Sequence, residues 1–249
     1  MNNTLVKLMG WKAILLQGDP TVTDRWRWLK RYVQPGSKRT LDAGCGQGQF
    51  TMGCCKLGNQ AVGLAFDTQD IQTAKTRASL LSLSDVEFRS LDLRYLDNYT
   101  AELGTFDQIL LLETLEHILN DAKVLSDLCV LLRPGGLILV TVPSADHYPL
   151  WGETVSECED GEHVRWGYSH KDLTKMFHDC SLEVLSQDYI SGVVSQKLAS
   201  LEFGLRRYNP MLARIVTFPL RIFHFLDEPL TKLLNYPYLS VGVVGRKVS

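Results

Sequence analysis

No stretch of this chain approaches the roughly 20 consecutive apolar residues that a membrane-spanning helix requires. The N-terminus also lacks a small-residue cleavage site behind its scattered apolar residues, so it does not resemble a secretory signal. The six cysteines contain no C-x-x-C pair and no spacing typical of a small disulfide scaffold. These absences predict reduced, mostly buried thiols and a cytoplasmic location.

The net charge of the chain is also small, and its sequence has no repeats. The net charge is only −2, which excludes a general electrostatic attraction to nucleic acid or to anionic lipid. The sequence has no internal repeat and no low-complexity tract. With 249 residues, 45% of them hydrophobic, the chain has enough apolar material for one sizeable core. We therefore expect a single domain over residues 1–249.

Short apolar runs alternate with amphipathic segments from residue 38 onward, which indicates a mostly parallel sheet with helices on both faces. Strands are predicted at 38–43, 60–66, 86–91, 105–112, 136–142, 182–190 and 238–247. A helix is predicted at 170–178. The parts of the domain are then a helical N-terminal extension over 1–35, a cofactor-binding core over 36–190, a helical insertion over 191–236 and the last strand in 237–249.

A glycine-rich turn, LDAGCGQGQF at 41–50, follows the first predicted strand and precedes a predicted helix. Gly44, Gly46 and Gly48 allow positive φ and place no Cβ in the way. A small ligand can therefore lie against the backbone N–H groups, beside the positive end of the helix.

Two ligands compete for this turn, a dinucleotide and S-adenosylmethionine. The dinucleotide fingerprint G-x-G-x-x-G needs a glycine at the position of Gln49, and the chain has G-x-G-x-G instead. The carboxylate of Asp42, just before the glycines, suits an ammonium group better than a pyrophosphate. The pattern favours the cationic ligand.

Five segments resemble, in order, the motifs of class I S-adenosylmethionine-dependent methyltransferases over roughly residues 35–190. They are LDAGCGQGQF at 41–50, VGLAFD at 62–67, FRSLDL at 88–93, FDQILLLETLEHI at 106–118 and LLRPGGLILVTVP at 131–143. The resemblance implies a Rossmann-like α/β fold with seven strands in the order 3-2-1-4-5-7-6 and an antiparallel last strand. It also implies S-adenosyl-L-methionine as cofactor and methyl transfer as activity.

The resemblance also implies cofactor contacts. The glycine turn would hold the methionine and ribose parts, Asp92 with Leu93 the adenine, and Glu113 would lie near the methionine end. Asp67 ends the second strand, where a carboxylate can accept both ribose hydroxyl protons. The alternatives are a helix cap for Asp67 and a turn acid for Asp92. The full set of assigned residues is Asp42, Gly44, Cys45, Gly46, Gly48, Phe66, Asp67, Asp92, Leu93 and Glu113.

The loop at 143–169 is predicted to form a lid at the carboxyl edge of the sheet, where open α/β sheets bind ligands. A sulfonium methyl group needs little beyond in-line positioning of the acceptor and removal of the acceptor's proton. His163 in this loop is our first choice for the base, since imidazole titrates near neutrality. His117 and His147 are the alternatives. Tyr168 belongs to a segment that resembles the one entering the active site after the fifth strand in many of these enzymes.

A second hypothesis concerns a metal. In a helix, Glu113, Glu116 and His117 would share one face at spacings of three and four residues. With His163 they would offer a ligand set for a divalent cation. The segment is similar to those of the metal-dependent O-methyltransferases of ubiquinone biosynthesis and of the small-RNA 3′-end 2′-O-methyltransferases. Metal-free members of the superfamily use the same string to cap and brace the helix, and we favour that interpretation.

A basic and apolar segment occupies residues 206–234. Its basic residues are Arg206, Arg207, Arg214 and Arg221. The composition fits contact with a membrane surface, or a cover over a hydrophobic acceptor. Packing on the domain or a dimer interface explains the same pattern and is the interpretation that we prefer. We expect a monomer or a homodimer.

The acceptor class is predicted from the aromatic lid and the insertion, which suit a small, rather apolar metabolite methylated on oxygen or nitrogen. A metal-assisted RNA 2′-O-methyltransferase is the first alternative, although the sequence has no RNA-binding module and no general basic signal. A nucleotide-dependent dehydrogenase is disfavoured by Gln49. A non-catalytic protein that binds S-adenosylmethionine is the remaining alternative.

Overall fold

Seven strands form the centre of the computed structural model, which describes residues 3–248 and the side chains of residues 6–248. They are β1 Arg39–Ala43, β2 Gln60–Ala65, β3 Val86–Ser90, β4 Phe106–Leu112, β5 Leu132–Pro143, β6 Leu182–Ile190 and β7 Ser240–Lys247. All seven expected strands are present. β5 begins earlier than expected, because Leu132 already pairs with Phe106 of β4.

The strands form one sheet in the order β3-β2-β1-β4-β5-β7-β6. β1 to β5 run parallel to one another. β7 lies between β5 and β6 and is antiparallel to both. This order and this orientation confirm the Rossmann-like α/β fold.

Helices connect the strands. The α-helices are α1 Asn3–Met9, α2 Trp11–Gln17, α3 Val22–Tyr32, α4 Gln49–Lys56, α5 Thr68–Leu80, α6 Thr100–Leu103, α7 Asp121–Leu131, α8 His170–Asp179, α9 Val193–Arg206, α10 Pro210–Leu220 and α11 Asp227–Leu233. Short 3₁₀ helices occupy Leu93–Tyr99, Leu115–His117 and Arg221–Leu226. The predicted helix at 170–178 is α8, and Ser169 and Asp172 close its N-terminus as a capping box.

Both faces of the sheet are covered, and β4 shows how. Ile109 and Leu111 are buried in a core cluster with α7 and α8. Leu110 and Leu112 are buried in a second cluster with α3 and α4. Because successive side chains of a strand point to opposite faces, a run of apolar residues is what a doubly covered strand requires.

The N-terminal helices are attached to the sheet by long-range hydrogen bonds. Trp28 Nε1 and Tyr32 Oη of α3 donate to Asp188 of β6 over 2.9 and 2.6 Å. Trp11 Nε1 of α2 donates to the carbonyl of Gln49 over 2.8 Å. α2 therefore contacts the start of the helix that follows the glycine turn.

Helices α9 to α11 follow β6 and precede β7 in the chain, and they form a helical layer. The Asp227 carboxylate, at the start of α11, accepts hydrogen bonds from the backbone N–H groups of Gly192, Val194 and Ser195 over 2.7, 2.7 and 3.1 Å. These donors are the N-terminal N–H groups of α9, which have no partner inside the helix. Asp227 thus ties the end of this layer to its beginning.

Within residues 3–248, no helix combines the length and the apolar content needed to cross a bilayer. All six cysteines have free thiols. Cys45, Cys54 and Cys129 are buried, whereas Cys158 is exposed.

Candidate active site

A cavity of about 440 Å³ opens at the carboxyl ends of β1 to β4. Open α/β sheets bind ligands at this edge. It brings together eight of the residues that sequence predicted for cofactor binding or catalysis. They are Gly44, Gly46, Phe66, Asp67, Asp92, Leu93, Glu113 and His117.

The glycine turn requires its glycines. Gly44, Gly46 and Gly48 have φ of 86°, 49° and 77°, a region in which residues with a Cβ are strained. A Cβ on Gly44 would lie 2.2 Å from Thr114 Oγ1, and one on Gly48 would lie 2.6 Å from the Phe88 ring. Gly48 is also the residue before α4, so the turn leads directly into the helix N-terminus.

Asp42 lies behind the turn and outside the cavity lining. Its side chain is buried, and its Oδ2 accepts a 2.6 Å hydrogen bond from Thr51 Oγ1. Burial raises the pKa of Asp42 to about 6, against the lowering effect of Thr51. Cys45 and Gly48 are likewise absent from the lining, so these three assigned residues shape the turn from behind.

The helix-cap role considered for Asp67 is observed, and its ribose role stays a prediction. Its carboxylate lines the cavity at the end of β2, and its Oδ1 also accepts a 2.7 Å hydrogen bond from the N–H of Gln69 as the N-cap of α5. We expect Asp67→Ala to weaken the binding of S-adenosylhomocysteine by about 1.5–3 kcal/mol, the range for hydrogen bonds to a charged group. Calorimetric titration measures this loss.

The matched variant is Asp67→Asn, which keeps an oxygen for the helix cap but removes the charge and one acceptor. We expect this variant to unfold at nearly the wild-type temperature and still to bind the ligand more weakly. If Asp67→Asn binds like the wild type, the carboxylate is only a helix cap.

The carboxylate of Asp92 accepts hydrogen bonds from Arg94, a residue that was not predicted from the sequence. Arg94 donates from Nε to both oxygens of Asp92 over 2.9 Å, and from an Nη nitrogen over 2.6 Å. This hydrogen bonding holds the pKa of Asp92 below its ordinary value, against the effect of burial. The adenine role of Asp92 stays a prediction, and it requires acceptor capacity beyond that used by Arg94.

Arg94 also ties the lid across the cavity. Its other terminal nitrogen donates to Glu159 over 2.7 Å, and Glu159 accepts a second hydrogen bond from the N–H of Leu119 over 2.6 Å. Glu159, Asp160 and Gly161 line the same cavity as the glycine turn. The lid segment at the cavity is therefore held by an Asp92–Arg94–Glu159 network.

The helix predicted for Glu113, Glu116 and His117 is wrong. Glu113 has a positive φ of 47°, and its N–H still bonds to the carbonyl of Thr141 in β5. Only Leu115–His117 forms a single 3₁₀ turn, and α7 begins at Asp121. Because Glu113 continues the strand pairing, the three side chains do not share a helix face.

Three of the four predicted metal ligands nevertheless lie close together. Glu116, His117 and His163 each have a potential ligand atom, and these atoms lie within 4.8 Å of one another. Glu113 is not part of this group. Glu116 is buried, and neither carboxylate oxygen has a hydrogen-bond partner. Burial and the neighbouring Glu113 raise the pKa of Glu116 well above its ordinary range.

Three histidines and one carboxylate meet beside the cavity. The rings of His117 and His163 are 4.8 Å apart and nearly perpendicular. His163 Nδ1 lies 3.6 Å from Glu153, and His147 Nε2 lies 3.2 Å from the same carboxylate. Glu153 was not predicted from the sequence, because its partners are brought close only by the folding of the lid loop.

The environments of His163 and His147 differ. Burial and the neighbouring His117 lower the pKa of His163, so its imidazole is neutral and able to accept a proton at neutral pH. Burial also lowers the pKa of His147, but hydrogen bonds to Glu153 and to the Ser144 carbonyl outweigh it and raise the pKa overall. Its side chain is 0% exposed, so His147 is a support for Glu153.

Tyr168 does not reach the cavity lining. It is buried, and its hydroxyl donates a 2.7 Å hydrogen bond to Asp121 at the start of α7. Burial and this hydrogen bond raise the pKa of Tyr168 far above its ordinary value. The structure gives this side chain contacts typical of a packing residue, and its catalytic role stays a prediction.

Known proteins are similar to this chain in sequence and in fold. A model of the methyltransferase domain matches residues 24–187. The human mitochondrial ubiquinone biosynthesis O-methyltransferase is 32% identical over 114 residues, which are 43% of this chain and 30% of the human protein. The enzyme of the same name from Burkholderia ambifaria (strain MC40-6) is 31% identical over 114 residues, 46% of this chain and 48% of that protein. The match thus spans less than half the length of these curated relatives.

Among solved structures, coclaurine N-methyltransferase bound to N-methylheliamine and S-adenosylhomocysteine superposes with a TM-score of 0.61 at 17% identity, covering 91% of this chain and 72% of that chain. At this identity the likeness concerns the fold. The family model, in contrast, covers more than half of the chain. The chain therefore belongs to the family of class I S-adenosylmethionine-dependent methyltransferases.

Proposed function

We propose that the protein methylates an oxygen or nitrogen of a small, rather apolar metabolite, with His163 as the base that receives the acceptor's proton. The observation that supports this most is the pairing of His163 with Glu153 beside the cofactor cavity. A neutral imidazole oriented by a carboxylate is a common arrangement for a general base.

Two parts of the chain, α3 and the lid, lie on the proposed acceptor side of the site, and the lid contacts α9. Arg25 of α3 is partly buried. Burial lowers its pKa, but the carboxylates of Asp19, Glu113 and Glu116 outweigh burial and raise it, so α3 lies near Glu113 and Glu116. Trp151 of the lid packs on Gly204 of α9, where a Cβ would lie 2.0 Å from the indole ring. An aromatic lid beside the site favours a small, apolar acceptor over a macromolecule.

His163 and Glu153 can handle the proton that methyl transfer releases from the acceptor. The bound cofactor supplies an electrophilic methyl group, and the sulfur keeps the electron pair of the C–S bond that breaks. His163 Nδ1 faces Glu153, so Nε2 receives the proton as the acceptor atom bonds to the methyl carbon. The Glu153 carboxylate then stabilises the imidazolium. The products are the methylated acceptor and S-adenosylhomocysteine.

A metal-assisted reaction is the second candidate, and the unpartnered oxygens of Glu116 favour it. A buried carboxylate and two imidazoles form a donor set that suits a divalent cation. Glu116, His117 and His163 would hold the cation, and the metal would lower the pKa of an acceptor hydroxyl. In that case His163 would be a ligand and not a base.

Transfer assays with isotope-labelled S-adenosylmethionine test the proposal. The acceptors are a panel of apolar phenols and amines, together with a short RNA carrying a free 3′ end, each assayed with and without a chelator. We expect label in one or more small acceptors, none in RNA, and the same rate in the chelator. Label in the RNA, or a rate that falls in the chelator and returns with Mg²⁺, would overturn the proposal.

A further inference from the structure

Helix α10 buries only a narrow stripe. Ala213 and Thr217, four residues apart, are its buried residues, and Thr217 Oγ1 donates a 3.0 Å hydrogen bond to Glu202 of α9. On the opposite side, at i, i+4 and i+7, lie Met211, Ile215 and Phe218. They are 71%, 65% and 53% exposed. The helix presents its larger apolar side chains to the outside.

The exposed apolar surface continues beyond α10. In the following 3₁₀ helix Ile222 and Phe225, three residues apart, are 72% and 71% exposed, and Tyr208 before α10 is 77% exposed. We name these residues the outer apolar face: Tyr208, Met211, Ile215, Phe218, Ile222 and Phe225. A monomeric soluble protein rarely exposes so many large apolar side chains in one short segment, and such surfaces mark interaction sites.

The charged residues around the outer apolar face are basic. Residues 203–226 contain four arginines and no aspartate or glutamate. Arg206 and Arg221 contact Glu202, which is buried. Arg207 and Arg214 are exposed, and neither forms an ion pair within residues 3–248. The outer apolar face is therefore flanked by uncompensated positive charge, although the whole chain has a net charge of −2.

We propose that the outer apolar face docks on the surface of an anionic lipid membrane. Phenylalanine, isoleucine and methionine enter the boundary of the acyl region, while arginines at the edge meet lipid phosphates. A second copy of the chain fits less well, since a twofold interface brings the same patch of both copies together and places like charges side by side.

Hydrogen bonds attach the segment that carries the outer apolar face to the rest of the domain. Arg221 donates to the carbonyls of Leu16 and Gly18 over 2.9 and 2.8 Å, and Arg207 donates to the carbonyl of Gly152 over 2.8 Å. The face therefore needs no folding step on contact with lipid. It also lies beside the lid segment that contains Trp151 and Glu153, so docking would bring the acceptor side of the protein to the membrane.

Vesicle flotation of the full chain tests this. The vesicles are phosphatidylcholine alone, or phosphatidylcholine with phosphatidylglycerol, at low and high salt. We expect the wild type to float with the anionic vesicles and to dissociate at high salt. The double variant Ile215→Glu/Ile222→Glu should lose more than about tenfold in partitioning, and Arg207→Ala and Arg214→Ala about fivefold each.

The matched control is Val130→Glu, which places the same charge at an exposed apolar residue of α7, 61% exposed and outside the outer apolar face. It should float like the wild type. Circular dichroism verifies that each variant is folded. Unchanged flotation of the double variant, or a wild-type dimer in solution that the double variant dissociates, would overturn the proposal. Equal flotation with neutral vesicles would also overturn it, since the arginines would then have no part.

Discussion

Replacing His163 with alanine is expected to slow methyl transfer by about 10²–10⁴-fold, the usual contribution of a general base. The affinity for S-adenosylhomocysteine should stay nearly unchanged, because His163 does not line the cofactor cavity. Single-turnover assays at saturating cofactor measure the rate, and calorimetry measures the affinity. His178→Ala, an exposed histidine of α8, is the control and should leave both quantities unchanged.

The pH dependence gives a second test of the same residue. Burial and His117 lower the pKa of His163, so the neutral imidazole persists below the ordinary histidine value of about 6.5. In the wild type, the rate should therefore stay high until the pH falls below that value. His163→Ala should lose this acidic limb. A parallel loss of rate and cofactor affinity in His163→Ala would point to collapse of the lid, and an unchanged rate would place the base elsewhere.

The second large effect is expected from Asp42→Asn. Burial raises the pKa of Asp42 from 3.8 to about 6, so the folded protein holds this proton more tightly than the unfolded chain. The contribution of Asp42 to the free energy of unfolding is then fully present below about pH 4, and it is lost as the pH rises through about 6. The free energy lost from this one group is about 3 kcal/mol. The asparagine variant, which cannot ionise, should lack this loss.

Urea unfolding at pH 4.5 and pH 8 measures the difference between Asp42→Asn and the wild type. The variant should gain stability relative to the wild type at the higher pH, while Thr51 keeps an oxygen to which it can donate. Asp179→Asn, at an exposed carboxylate of α8, controls for the loss of a negative charge. A difference that is the same at both pH values would show that the pKa of Asp42 is not raised in the folded protein.

The fold was predictable because its signals are local or belong to a whole family. Each strand is a short apolar run between turns, and the strand order follows from motifs that occur in a fixed sequence. Trp28, Tyr32 and Asp188 illustrate the limit. Their hydrogen bonds join residues about 160 positions apart, and no local pattern marks such a pair.

Much of the cavity lining was predictable from the sequence, whereas the residues that the lid loop brings together were not. Asp67 and Glu113 stand at strand ends, where the topology places them. Glu113 was assigned to the wrong conformation, because its sequence neighbours suit a helix while its N–H pairs with β5. Arg94, Glu153 and Glu159 were missed because each acts through partners brought close by the lid loop.

The position of β7 between β5 and β6 has a consequence for how the chain folds during synthesis. β7 pairs with β5 across about a hundred residues of intervening sequence, so the loop to be closed is long and the contact order is high. Until residues 240–247 leave the ribosome, β5 and β6 each have an unpaired edge that can bind other extended chains. Before β7 is synthesised, these two edges are therefore the part of the sheet most exposed to aggregation.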